Sequence, residues 1–227
     1  MIYTIVSITE AEAIQNAALA ANLAASRAKE GRKVLLIEAN LHMHLLLWTL
    51  RRYKREATLN FPVLPLTDGG LYQALQEHQP SYRDIVINVG ATNSSLLRTA
   101  LIAAKVLIIP VTHQHMQLKN QEALNRIAET AKLFNPLVQT HLLPSGVPSA
   151  MLVQDYAGAV ALAEKYPSCS VVANPIAGNT DTLKAFQRGL SIFEDVRDDD
   201  AEVRGMARVC RQLSNSAADK ASVRQAE

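Results

Sequence analysis

Glycine is scarce in this chain. Only nine of its 227 residues are glycine, and the first of them is Gly31. A chain of average composition, with roughly 7% glycine, would hold nearly twice that number. A glycine-rich phosphate loop needs residues without a Cβ, because only then can backbone amides close around an anion. The sequence therefore excludes such a loop at the turn that follows the first apolar run.

Cysteine, net charge and long apolar runs are lacking as well. The two cysteines, Cys169 and Cys210, are too few for a disulfide scaffold, a zinc knuckle or an iron–sulfur site, and they favour a reducing, cytoplasmic location. The 23 basic and 21 acidic residues leave a net charge of +2, which excludes a polyanion-coating tail but permits a local basic patch. No apolar run is long enough to span a membrane, and no cationic segment precedes the first run as in a secretory signal.

Apolar residues are plentiful, at 48% of the chain, which suffices for a full core. Short apolar runs with consecutive β-branched residues alternate with longer helical patterns, which is typical of parallel strands buried on both faces. The predicted strands are residues 2–6, 33–37, 62–66, 84–89, 106–111, 138–143 and 170–173. The predicted helices are residues 11–30, 45–55, 71–77, 94–104, 117–133, 151–165, 183–189 and 201–213.

This alternation predicts an α/β fold, a single-domain, doubly wound, mostly parallel sheet flanked by helices, over residues 1–213. From Ser214 onward the residues turn small and polar, so we expect residues 214–227 to form a flexible polar tail. Ligands of such sheets bind at the carboxyl ends of the strands. The segments just after the predicted strands are therefore the candidate site.

Six segments carry a resemblance to a known family. They are residues 22–25 (NLAA), 30–37 (EGRKVLLI), Leu46 with Trp48, residues 61–63 (FPV), 82–87 (YRDIVI) and 100–111 (ALIAAKVLIIPV). In order and spacing the chain resembles the ParA/MinD superfamily of deviant-Walker partition ATPases, and it is most similar to the small, ParF-like plasmid-partition members. The resemblance implies a P-loop NTPase-like sheet of the SIMIBI/ParA type, a cytoplasmic dimer and a role in DNA segregation.

The resemblance ends at the first turn, where the family has a Lys-Gly-Gly-x-Gly-Lys-Thr loop around the phosphates. Alignment back from Asn22 places the phosphate-binding lysine at Asn16, the magnesium-binding hydroxyl at Ala17, the glycines at Glu12, Ala13 and Gln15, and the cross-dimer lysine at Ala11. Phosphate charge would meet Glu10 and Glu12 instead of cations, which is repulsive at short range. We therefore predict a degenerate Walker A segment that cannot cradle a triphosphate.

The family's other catalytic positions are altered too. The aspartate pair after the second strand corresponds to Glu38 and Asn40, and the aspartate after the fourth strand corresponds to Asn88. Phosphoryl transfer in this family depends on a metal ion and a lysine that neutralise the γ-phosphate. We therefore predict no catalytic residues, no cofactor and no ATP hydrolysis by the family mechanism, although Glu38 retains a carboxylate that can coordinate a cation.

Two basic groups are candidates for contact with DNA or a protein partner. The first contains Arg51, Arg52, Lys54 and Arg55, and the second contains Lys184, Arg188, Arg204, Arg208 and Arg211. Each group is either a solvated surface or a binding patch. The second lies where the family's members often place DNA-contacting residues, and Asp198, Asp199, Asp200 and Glu202 beside it can neutralise it.

Two His-x-His pairs, His42 with His44 and His113 with His115, follow predicted strands, yet their spacing is loose for a metal motif and we predict no metal site. The first functional hypothesis is a non-catalytic pseudo-ATPase that serves as a scaffold in plasmid or mobile-element partition, or in positioning a secretion or pilus machine. Its partner is a protein, either a second copy in a homodimer or a ParA-type homologue. The alternatives are an ATPase that binds nucleotide in an altered mode, with Glu38 and His42 or His44 holding a metal, and a nonspecific DNA-binding module.

Overall fold

The computed structural model describes residues 1–55, 57, 60–66, 70–91, 94–112, 115, 118–147, 152–166, 169–177 and 181–223. Its parallel strands are β1 (Ile2–Ser7), β2 (Val34–Ala39), β3 (Val63–Pro65), β4 (Asp84–Gly90), β5 (Val106–Val111), β6 (Gln139–Val147), β7 (Cys169–Val171) and β8 (Ile176–Ala177). The sheet order is β3-β2-β4-β1-β5-β6-β7, with β8 paired to β6. All seven predicted strands are present in the sheet, and the predicted doubly wound α/β class is confirmed.

The helices of the described chain are α1 (Ala13–Lys29), α2 (His44–Tyr53), α3 (Leu71–His78), α4 (Ser94–Ala103), α5 (Leu118–Phe134), α6 (Leu152–Glu164), α7 (Asp181–Gln187), α8 (Ile192–Asp195) and α9 (Ala201–Val223). Short 3-10 turns precede α1 and follow α3. One core cluster packs α1, α2 and α7 to α9 against one face of the sheet, and a second packs α3 to α6 against the other. No described helix is both apolar and long enough to cross a membrane.

The central strand β1 lies between β4 and β5, which is where the order of the sheet reverses. Helix α1 follows it and buries an alanine-rich face, with Ala17, Ala21 and Ala24 fully buried. Such small side chains let the helix axis approach the sheet closely. The helix ends at Lys29, and Gly31, whose φ is +76°, makes the left-handed turn that follows.

Two features of the helices differ from the predictions. The sequence pattern of α2 predicts one shared side for Leu45, Leu46, Trp48 and Leu50, but Leu46 and Leu50 are exposed whereas Leu45 and Trp48 are fully buried. Helix α9 runs to Val223, so residues 214–223, expected to be a polar tail, are helical. Ala217, Ala218, Lys220 and Ala221 are good helix formers, and no glycine or proline interrupts residues 214–223.

Candidate functional site

The candidate site lies at the carboxyl ends of β1, β2 and β4. Parallel pairing sets Ile5 of β1 beside Asn88 of β4, and Glu38 of β2 beside the same asparagine. A cavity of about 270 Å³ opens just beyond, and it is lined by Ser7, Ile8, Thr9, Glu10, Asn40, Leu41, His42, Gly90 and Ala91. The fold therefore brings the predicted degenerate positions to one sheet edge, where ligands of such sheets bind.

The connection between β1 and α1 contains a 3-10 turn. After β1 ends at Ser7, a 3-10 turn spans Glu10–Glu12, and α1 begins at Ala13. Ala13 and Ala17 are fully buried, whereas Ala11 and Gln15 are exposed. A loop that wraps an anion needs several free amides on a wide arc. Here the chain passes from strand to helix through one tight turn.

Asn16 stands where the family's phosphate-binding lysine would be, and its side chain points into the protein. Its amide Nδ2 donates to Ser7 Oγ over 3.0 Å, and both side chains are buried. The hydrogen bond ties the first turn of α1 back to the end of β1. The Asn16 side chain thus bonds to the last residue of the central strand. A lysine at this position would instead direct a positive charge toward the cavity.

Glu12 is fixed by the segment after β5. Its Oε1 lies 3.0 Å from Nε2 of the buried His115, although the pair lacks hydrogen-bond alignment. The His115 Nδ1 accepts from the backbone N–H of Thr112 over 3.0 Å, so the ring proton belongs on Nε2, facing Glu12. The carboxylate of Glu12, in the turn after β1, therefore lies against an imidazole from the segment after β5.

Glu38 is fully buried and caps α2. Its carboxylate accepts from the backbone N–H groups of Leu45 at 2.7 Å and Asn40 at 3.3 Å, and from Asn88 Nδ2 at 2.8 Å. Burial raises the pKa of Glu38 to about 7, and these three donors offset only part of that rise. Its oxygens are engaged within the protein, so the geometry disfavours metal coordination by Glu38.

Asn40 and His42 belong to the cavity wall, and His44 lies beside His42. Asn40 Oδ1 accepts from the N–H of His42, and the rings of His42 and His44 stack with centroids 5.7 Å apart. Burial, with a smaller contribution from His42, lowers the pKa of His44. Among the residues that the structure describes, no three His, Cys, Asp or Glu side chains converge on a metal-sized site. His113 lies outside the described residues.

Arg52 is not the surface contact that the sequence suggested. It is buried, and its guanidinium donates to both carboxylate oxygens of Glu194 at 2.7 and 2.8 Å while it lies over the Trp48 ring at 4.9 Å. The sequence grouped it with its neighbours because the four cations are adjacent. The other three, Arg51, Lys54 and Arg55, are exposed.

The C-terminal basic group divides into two parts. Lys184 pairs with Asp181 at 3.0 Å, and Arg188 pairs with Asp195 at 2.8 Å. These ion pairs partly neutralise the positive charge of Lys184 and Arg188. The α9 arginines, Arg204, Arg208 and Arg211, are exposed and lie on one helical face at spacings of four and three.

Sequence reasoning missed the contacts between Glu12 and His115 and between Asn16 and Ser7. The glutamate and the histidine are more than a hundred positions apart in the chain, and no spacing rule connects them. The polar residue types after each strand were the only available signal.

Comparisons with known proteins identify solved structures of the same fold. No protein-family model and no curated protein matches the chain. The MinC:MinD cell division complex of Aquifex aeolicus matches with a TM-score of 0.69 at 16% identity, over 94% of this chain and 96% of that one. A plasmid partition protein of Borrelia burgdorferi bound to AMPPNP matches with a TM-score of 0.66 at 14% identity, over 95% and 98%. The pNOB8 ParA bound to nonspecific DNA matches with a TM-score of 0.61 at 11% identity, over 96% and 98%.

The chain therefore has the P-loop NTPase fold of the ParA/MinD type, as its resemblance predicted. At these identities the likeness concerns the fold. The loss of nucleotide chemistry stays a prediction, and it rests on the residues at the first turn.

Proposed function

We propose that this chain is a non-catalytic member of the ParA/MinD fold, a pseudo-ATPase that serves as a binding or regulatory scaffold. The observation that carries the proposal is that Glu12 and Asn16, at positions where the family has its phosphate-binding loop by resemblance, contact His115 and Ser7 within the protein. Partition of a plasmid or mobile element is the role that the similarity to partition proteins supports. The positioning of a secretion or pilus machine is the other role that we propose for the scaffold.

Electrostatics support the loss of nucleotide binding. Glu10 is exposed at the cavity and Glu12 is next to it, so a triphosphate would approach two carboxylates. Each pair of like charges about 4 Å apart costs about 4 kcal/mol at an effective dielectric constant of about 20. Ala17 supplies no hydroxyl for magnesium, and Asn16 no compensating cation. The site thus repels the ligand that the fold usually binds.

Isothermal titration with ATP and ADP in the presence of magnesium, together with a phosphate-release assay, tests this. We expect no heat of binding and no turnover, with an ATP-hydrolysing ParA-type protein as the positive control. Micromolar binding would overturn the proposal and favour the alternative of an ATPase with an altered nucleotide mode.

The partner of the scaffold is a protein, either a second copy or a ParA-type homologue. Ala11 and Gln15 are exposed, uncharged residues near the cavity. They lie on the face that corresponds to the dimer face of the family that the chain resembles. Light scattering after size exclusion should give a dimer, or a stable complex with a ParA-type protein. A monomer at high concentration that binds no such homologue would exclude this partner class.

Nonspecific DNA binding is a second candidate, favoured by the exposed row of Arg204, Arg208 and Arg211 on α9. Arg204→Glu with Arg208→Glu should abolish retention on DNA, and retention by the unmodified chain should fall steeply with salt. Arg126→Glu, an exposed arginine on α5, is the matched control. Equal loss in both variants would indicate a general charge effect and no binding face.

A further inference from the structure

Helix α2 presents an apolar stripe to solvent. Leu46, Leu47, Leu50 and Tyr53 are 37%, 47%, 57% and 87% exposed. Leu46, Leu50 and Tyr53 are spaced by four and then three residues, so they lie along one face of the helix. This alternation of three and four is the spacing of a helix-pairing seam. We call these four residues the α2 stripe.

The helix that carries the α2 stripe is fixed to the core on its opposite side. On the opposite side of α2, the Trp48 ring stacks between Phe61 and Phe186 with centroids 6.0 Å away on each side. Arg52 is anchored to Glu194, and Glu38 caps the first turn of the helix. Because these contacts fix α2, the leucines are exposed in a settled conformation, and a partner would not have to order them.

The charged residues of α2 and of the two positions after it are all basic, and Glu56 is the next residue. From Leu41 to Arg55 the sequence contains no aspartate or glutamate, and Arg51, Lys54 and Arg55 are all exposed. None of these three forms an ion pair with any residue that the structure describes. Among the residues that the structure describes, the α2 stripe is therefore an apolar seam flanked by cations without an ion-pair partner.

We infer that the α2 stripe is a docking surface for an amphipathic helix of a partner protein, one whose own apolar seam is flanked by aspartate or glutamate. The apolar spacing fits a helix, and the flanking cations select acidic flanks. A second copy using the same face would bring like charges together, which is unfavourable. Exposed leucines at the centre of the surface contribute nothing to phosphate contacts with nucleic acid. This inference does not depend on the loss of nucleotide binding.

A pair of synthetic helices tests the inference on the full chain. Each has about four heptads with leucine at a and d, and the two differ only in having glutamate or lysine at e and g. Fluorescence anisotropy should show binding to the glutamate helix at least about fivefold tighter than to the lysine helix, with the difference falling as salt rises. Equal binding of both, or no binding of either, would overturn the inference.

Charge reversal on the protein gives a more specific test of the preference for acidic helices. Arg51→Glu combined with Lys54→Glu and Arg55→Glu should reverse the preference, so that the lysine helix binds more tightly. Leu47→Asn with Leu50→Asn should abolish binding of both helices. Leu133→Asn with Leu137→Asn removes two leucines of similar or greater exposure elsewhere and should leave binding unchanged. Circular dichroism of each variant verifies that it is folded.

Three further readouts separate other occupants. Binding to phosphatidylglycerol vesicles that Leu47→Asn with Leu50→Asn abolishes, without selective peptide binding, would assign the stripe to a lipid surface. Self-association lost in the same variant would assign it to a second copy, and DNA binding lost on charge reversal but kept on leucine replacement would assign it to nucleic acid. Each of these results would overturn the acidic-helix partner.

Discussion

At the scale of single residues, the degenerate positions have acquired structural roles. The Glu38 carboxylate caps α2, the Asn16 amide donates to Ser7 Oγ, and the Glu12 carboxylate lies beside the His115 ring. Glu38 and Asn16 make hydrogen bonds within the protein, whereas the Glu12 and His115 side chains lie 3.0 Å apart without hydrogen-bond alignment. Buried polar groups require such partners, because leaving one unpaired costs free energy that folding does not recover. Internal contacts at this edge of the sheet are what the proposed absence of a bound nucleotide would require.

Glu38 gives a pH-dependent prediction. Its pKa is about 7 in the folded protein against 4.5 for the ordinary group, so the folded state binds the proton more tightly. The favourable contribution is complete below about pH 4.5 and is lost as the pH rises through about 7, which corresponds to about 3 kcal/mol. Relative to the unmodified chain, Glu38→Gln should therefore gain stability between about pH 5 and about pH 8, as measured by urea unfolding.

Glu77→Gln is the matched control for that experiment, because Glu77 is an exposed carboxylate on α3. Its effect on the free energy of unfolding should be the same at both pH values. If the Glu38→Gln difference were also independent of pH, the carboxyl would not carry the raised pKa on which the prediction rests.

At the scale of elements, the close contact between α2 and the turn after α7 decides how α2 is oriented. Gly189, with φ of +85°, follows α7, and an added Cβ there would lie 2.4 Å from the Arg52 backbone nitrogen and 2.6 Å from the Arg51 carbonyl carbon. The two backbones therefore touch, and only glycine fits between them.

Gly189→Ala should consequently destabilise the protein by about 2–4 kcal/mol, because it adds both a clash with backbone and an unfavourable φ. Gly205→Ala is the matched control: Gly205 lies inside α9 with nothing within 4 Å of the added Cβ. That change should stabilise by up to about 1 kcal/mol, since alanine is the better helix former. The unfolding temperatures of the two variants should therefore shift in opposite directions. Shifts in the same direction would contradict the close backbone contact at Gly189.

The elements also show where sequence reasoning succeeds. Strands β1, β2, β4 and β5 were predictable because they are buried on both faces and read as continuous apolar runs. The facing of α2 was not, because Leu45, Leu46, Leu47 and Leu50 are all leucine and periodicity alone cannot choose between them. Arg52 is inside because Glu194, far along the chain, supplies a partner that no local pattern announces.

At the scale of the whole molecule, the two ends of the sheet have different functions. The carboxyl edge holds the candidate site, whereas the amino edge holds a buried charge cluster around Asp84 of β4. Asp84 accepts from Arg27 of α1 at 2.8 Å and from Arg32 at 2.9 and 3.0 Å, and the terminal amine of Met1 lies 3.5 Å away. Burial alone would raise the pKa of Asp84, but the two arginines hold it below the ordinary value.

This cluster joins α1, the residues before β2 and Met1 to the central strands, so its loss should lower the stability of the whole fold. Asp84→Asn would leave two guanidinium groups facing a neutral amide, one of them buried, and should lower the free energy of unfolding by about 3 kcal/mol near neutral pH. In the unmodified chain the same contribution is complete above the ordinary pKa of 3.8 and is lost as the pH falls through the lower folded value. Urea unfolding at neutral pH checks the loss, with Asp198→Asn as control, because the exposed pair of Asp198 with Lys29 should contribute less than about 1 kcal/mol. Equal effects of the two substitutions would show that the amino-edge cluster does not hold the layers of the fold together.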